Sequence, residues 1–159
     1  MADPAREPLP AAVLFACNFN RVRSVMAEAL LKRLVGKQVF VDSCGLKAVP
    51  TDEEIGKVDP FVVEVMQEIG WDLSGHQPKT FDELEDDSFD LVISLTPEAQ
   101  HRAVELARGR AVEIDYWPTH DPTLAMGPRE EVLAAYRETR DALAARIRAR
   151  FGQTATFGG

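Results

Sequence analysis

The sequence predicts an α/β protein: a single-domain three-layer sandwich in which a four-stranded parallel sheet carries helices on both faces. Three observations lead there. Short apolar runs, rich in branched residues, alternate along the chain with longer runs of helical spacing. Parallel strands joined through helices use right-handed crossovers, which bring those helices back onto the sheet. A polar stretch, Cys17-Asn18-Phe19-Asn20-Arg21-Val22-Arg23-Ser24, then separates the first strand from the first helix. Ligands of such sheets bind outside the carboxyl ends of the strands.

Taken in order, Met1 to Pro10 reads as a flexible arm interrupted by Pro4, Pro8 and Pro10, without the long apolar run of a secretory signal. The domain spans residues 11–151. Ala12-Val13-Leu14-Phe15-Ala16 is the first strand. A helix from about Ser24 places Met26, Ala27, Leu30, Leu31 and Leu34 on one face and stops at Gly36. Val39-Phe40-Val41 is the second strand, ending at Asp42-Ser43-Cys44-Gly45, and residues 46–57 form a loop. Asp59-Pro60 supplies a cap and a first-turn proline for a helix carrying Val62, Val65, Met66 and Ile69, ended by Gly70. An extended crossing follows over residues 72–78, and the acidic run of residues 82–87 reads as a solvated face. The third strand is Phe89–Leu95. Thr96-Pro97 opens a helix to Ala107, closed by Gly109, and Ala111–Ile114 makes the fourth strand. A loop over residues 115–127 leads to the last helix, Pro128–Phe151, with Val132, Leu133, Tyr136, Leu143 and Ile147 inward. Residues 152–159 read as a disordered tail.

Composition narrows the function. At 159 residues, 45% hydrophobic and 28% charged, the chain is an ordinary globular domain. A net charge of −8 argues against a nucleic-acid surface, and no segment reaches membrane-spanning length. Two cysteines are too few for a disulfide framework, and a reactive thiolate suits a reducing, cytoplasmic setting. No Cys/His cluster has metal-ligand spacing, so neither a metal nor a cofactor is expected.

The loop carries the chemistry. A loop of this length opening a helix turns successive N–H groups toward one point, an anion-binding nest, and the helix dipole adds about half a positive charge there. Arg23 adds a planar two-pronged donor for phosphate oxygens, and Arg21 a second positive charge. A cysteine at the floor of such a nest is held largely as thiolate, and Ser24 can donate a hydrogen bond to its sulfur. Attack on phosphorus further needs a general acid opposite the nucleophile, and the candidates near strand ends are Asp115, His120 and Asp121.

The stretch resembles the low-molecular-weight protein tyrosine phosphatases and the thioredoxin-coupled arsenate reductases. The resemblance rests on Val13-Leu14-Phe15, Cys17, Asn20, Arg23-Ser24 and Met26-Ala27-Glu28-Ala29-Leu30, and runs more weakly to about residue 151. It implies strand order 2-1-3-4, with the order reversing beside strand one. It implies Cys17, Arg23 and Asp121 as catalytic residues, Asp121 through the family's Asp-Pro motif. Asn18, Phe19, Asn20, Arg21, Val22 and Ser24 become the substrate-binding loop, with Asn20 held by Ser24, Ser43 and His76. The chain departs from the family pattern in having Phe19 for a glycine and Val22 for a second cysteine. Thr123-Leu124 stand where tyrosines line the phosphatase cleft, so Phe19 or Trp117 would have to supply an aromatic wall.

Three readings follow. The first is a phosphomonoesterase working through a cysteinyl-phosphate on a phosphorylated protein or a small phosphomonoester, as a monomer or weak dimer. The second is an arsenate reductase that borrows an external thiol. The third is a non-catalytic phosphate-sensing module. Cys44 is expected to be packed at the end of strand two rather than to resolve a disulfide.

Overall fold

The computed structural model describes residues 8–48, 57–85 and 88–152. Most of the expected arm and tail, the centre of the loop after strand two and the end of the acidic run therefore lie outside the described residues. Four strands, β1 (Ala12–Cys17), β2 (Phe40–Gly45), β3 (Leu91–Ser94) and β4 (Glu113–Tyr116), form one parallel sheet in the order β2-β1-β3-β4. The helices are α1 (Arg23–Val35), α2 (Pro60–Gln67), α3 (Pro97–Ala107) and α4 (Arg129–Phe151). The expected architecture and strand order are both present.

β1 is central and wholly buried, which is why its sequence is continuously apolar rather than alternating. Its side chains still divide between two cores. Val13, Phe15 and Cys17 pack with α1, α2 and α4, alongside Val62, Met66, Leu133 and Ile147. Ala12, Leu14 and Ala16 pack on the other face with Cys44, Phe81, Ala99 and Ala103, under α3. Burying a Leu or Phe in these layers contributes about 1.5–3 kcal/mol each.

α2 and α3 follow their predicted caps: Asp59 accepts from the Phe61 amide and Thr96 from the Ala99 amide, each before a first-turn proline. α1 differs. Its N-cap position is Val22, with no side-chain cap and no acidic residue in the first turn. That leaves its N-terminal N–H groups available to an anion.

Several boundaries move. β4 lies two residues later than Ala111–Ile114, because Leu91 to Ser94 pair with Glu113 to Tyr116. Asp115 is thus a strand residue, not a loop residue. Leu34 is not in the core; it is 36% exposed, and Val35 takes the last inward position of α1. α2 ends at Gln67, short of Ile69 and Gly70. Asp82 pairs with Arg102, while Glu83 closes a capping box with Thr80, so part of the acidic run is engaged rather than merely solvated. No helix among the described residues is long and apolar enough to cross a membrane.

Candidate active site

Cys17 is the last residue of β1, and its Sγ lies 2.9 Å from Ser24 Oγ at the start of α1. Between them the loop carbonyls are drawn outward. The Cys17 and Asn18 carbonyls accept from the Leu46 amide, and Asn18 also from the Lys47 amide; the Arg21 carbonyl accepts from the Asp59 amide. The Asn20 carbonyl faces His76 Nε2 at 3.2 Å. Carbonyls held from outside leave the intervening N–H groups turned toward the pocket, which is how a nest is built.

Asn20 is the keystone of this shape. Its φ is 56°, the one positive value among the described non-glycine residues, and Asn tolerates that conformation better than most. The side chain is fully buried and fully bonded. Its Nδ2 donates to Ser24 Oγ at 2.9 Å and to Ser43 Oγ at 2.8 Å. Its Oδ1 accepts from the Lys79 amide at 3.0 Å and faces His76 Nε2 at 3.1 Å. Both neighbours of His76 Nε2 are oxygens, so that nitrogen carries the hydrogen. Burial holds the His76 pKa below its ordinary value, against the opposing pull of the Glu28 carboxylate. Ser43 in turn donates to Glu28. Since Ser24 Oγ already accepts from Asn20, its own proton is free to point at the Cys17 sulfur.

The pocket over the loop encloses about 300 Å³ and is lined by Cys17, Asn18, Phe19, Arg21, Val22 and Arg23 together with Asp121 and Thr123, whereas Asn20 and Ser24 are fully buried and do not line it. Arg23 ties the loop to the segment after β4. Its NH1 donates to the Thr119 carbonyl at 3.0 Å, and its NH2 stands 3.7 Å from Asp121 Oδ2. Asp121 Oδ1 accepts from the Thr123 amide and hydroxyl, leaving Oδ2 on the pocket side. Proline after Asp121 keeps that residue extended, at φ −87° and ψ 107°.

The other acid candidates separate from the site. Asp115 is occupied: its Oδ2 accepts from Trp117 Nε1 at 2.9 Å and its Oδ1 from the Tyr116 amide. His120 lines a different cavity, with Pro118, Glu138 and Arg146. Trp117 cannot provide the aromatic wall, because it is 3% exposed, packed on Phe15 and covered by Arg146. Phe19 is 45% exposed at the rim and remains as the aromatic group there.

Cys44 is buried in the core under α3, whereas Cys17 belongs to the core on the other sheet face. The strand pairing sets Cys44 beside Ala16, one residue out of step with Cys17. Burial pushes the Cys44 thiol pKa well up, with further contributions from Cys17 and Asp42.

Sequence reasoning missed Thr96, Glu28 and Gly45. Thr96 Oγ1 caps α3 and also donates to Asn18 Oδ1 at 2.8 Å, tying the helix to the loop. Only its capping half was legible. A Cβ on Gly45 would stand 2.7 Å from the Phe19 carbonyl carbon, so the strand passes directly beneath the loop. Glu28 was visible as part of a motif, without its partner Ser43.

The model of the low molecular weight phosphotyrosine protein phosphatase family matches residues 12–153. The chain belongs to that family. An arsenate reductase of Halalkalibacterium halodurans is 32% identical over 136 residues, covering 86% of this chain and 91% of that protein. A glutaredoxin arsenate reductase of Synechocystis is 37% identical over 83 residues, but there the chain spans only 58% of the relative. Among solved structures, a mutant of YwlE from Bacillus subtilis superposes with TM-score 0.72 at 25% identity, covering 91% of this chain and 99% of that one. A YwlE arginine phosphatase with its active-site cysteine changed to a phosphorylated serine gives TM-score 0.66 at 27% identity, covering 89% and 94%. Family membership supports an enzyme over a non-catalytic phosphate-sensing module.

Proposed function

We propose that this phosphatase-family member hydrolyses phosphomonoesters through a cysteinyl-phosphate. One observation supports the reading most: Cys17, Arg23 and Asp121 line a single pocket, with the Asp121 carboxylate 3.7 Å from Arg23. Cys17 Sγ attacks phosphorus in line. Arg23 and the loop N–H groups take the equatorial oxygens, where charge grows in the transition state. Asp121 protonates the leaving oxygen, then accepts a proton from the water that cleaves the S–P bond and releases inorganic phosphate. Ser24 donates to the sulfur as it departs.

The reductase-named relatives motivate arsenate reduction as the second reading. That chemistry starts from the same thiol but needs further thiols to carry the disulfide away. The sequence holds two cysteines in all, and Cys44 faces the opposite side of the sheet. Reduction would therefore consume an external thiol.

Both readings are tested together on purified protein, with an aryl phosphate in one assay and arsenate plus glutathione in the other. The expected result is phosphate release by the wild type and none by Cys17→Ser, whose hydroxyl is a far weaker nucleophile. Thiol-dependent arsenate turnover without phosphate release would replace the hydrolase reading with the reductase one.

A further inference from the structure

The pocket holds two arginines in different situations. Arg23, assigned to the transferred phosphoryl group, is bonded to the Thr119 carbonyl and faces Asp121. Arg21 lines the same pocket, but its guanidinium has no ion-pair partner among the described residues. It is nevertheless held at both ends. Its carbonyl accepts from the Asp59 amide, and Asp59 is itself fixed by the Tyr136 hydroxyl at 2.8 Å. Its Nε donates to the Lys57 carbonyl on the exposed side of the loop. A side chain anchored through Nε presents its two terminal nitrogens as a ready fork, with less rotamer freedom left to lose on binding. On a protein of net charge −8, a cation fixed at the rim of an anion pocket is a local exception. The transferred phosphoryl group already has Arg23 and the loop N–H groups.

We propose that Arg21 is a specificity-determining residue that reads a second negative charge on the substrate, beyond the transferred phosphoryl group. The substrate class is a phosphomonoester whose leaving group bears a carboxylate near the ester oxygen. This deepens the hydrolase reading and rests on it. Phe19, exposed on the same rim, gives the body of an aryl leaving group an apolar surface while Arg21 takes its carboxylate.

The test compares 3-carboxyphenyl phosphate with its neutral methylamide, on the wild type, Arg21→Gln and Arg21→Glu. The quantity read is the acid-to-neutral ratio of kcat/KM, and comparing that ratio between enzymes cancels the intrinsic leaving-group difference. Losing one charge-assisted hydrogen bond should lower the ratio on the order of tenfold in Arg21→Gln, and further in Arg21→Glu, mostly through KM. In the wild type, about 0.5 M salt should compress the same ratio, a readout that needs no variant. Arg21→Lys should keep part of the preference. Equal ratios in all enzymes, with both substrates turned over, would overturn the assignment and leave the hydrolase standing. No turnover of either substrate by the wild type would bring down both.

Discussion

A Cβ on Gly45 would stand 2.8 Å from the Asn20 amide nitrogen, closer than real Cβ contacts come. The end of β2 and the backbone of the Cys17 loop are therefore pressed together with no room for a side chain. Asn20 holds the left-handed bend of that loop, so the shape of the nest depends on the absence of one methyl group in a different strand.

Gly45→Ala should accordingly damage catalysis more than stability. The added methyl meets backbone on three sides, at Phe19, Asn20 and Asn18, and the loop must shift. A displacement of this kind costs roughly a hundredfold in kcat/KM. Gly75→Ala is the control, since a Cβ there meets nothing within 4 Å. Wild-type kinetics in Gly45→Ala would show that the loop geometry is not what the chemistry needs.

Asp121→Asn should discriminate between leaving groups. Loss of a general acid is worth about 10²–10⁴-fold for an ester whose alkoxide or phenoxide leaves poorly, and far less for p-nitrophenyl phosphate. Rates measured over a series of substituted phenyl phosphates should steepen with leaving-group pKa in the variant. A uniform drop across the series would assign Asp121 to holding Arg23 instead.

His76 should give the fold an acid-sensitive component. Its pKa in the folded state lies below the ordinary 6.5, chiefly through burial, so the unfolded chain binds the proton more readily. The stability tied to the neutral imidazole is complete above about pH 6.5 and is lost as pH falls toward the lower folded pKa. His76→Gln keeps an N–H donor without titrating. Melting temperatures recorded between about pH 5 and 7 should fall less steeply for the variant than for the wild type. Parallel slopes would remove His76 from the account.

Peroxide should inactivate the protein at Cys17 without linking it to Cys44. The two thiols are both free and lie on opposite faces of the sheet, while a disulfide needs Cβ atoms about 3.5–4.5 Å apart. Thiol reductant should rescue mild oxidation, and strong oxidation should be irreversible because Val22 offers no neighbouring sulfur. A Cys17–Cys44 peptide in the mass spectrum would refute the packing and strengthen the reductase reading.

The chain's local patterns were enough to specify the α/β class, the caps at Asp59 and Thr96, and the spacing from Cys17 to Arg23. Each depends on periodicity or on side chains a few residues apart, which sequence displays directly. The start of β4 was not legible, because Glu113 to Tyr116 are selected by pairing with Leu91 to Ser94 and not by their own apolar content. Of the two aromatics open for the cleft wall, Phe19 and Trp117, Trp117 is core, because Asp115 takes its indole N–H and Arg146 covers its ring. Which carboxylate faces Arg23, and which sheet face each cysteine occupies, was likewise decided only when distant segments came together. Sequence names the groups that chemistry needs; strand register and loop closure choose which of them meet, because those contacts are long-range.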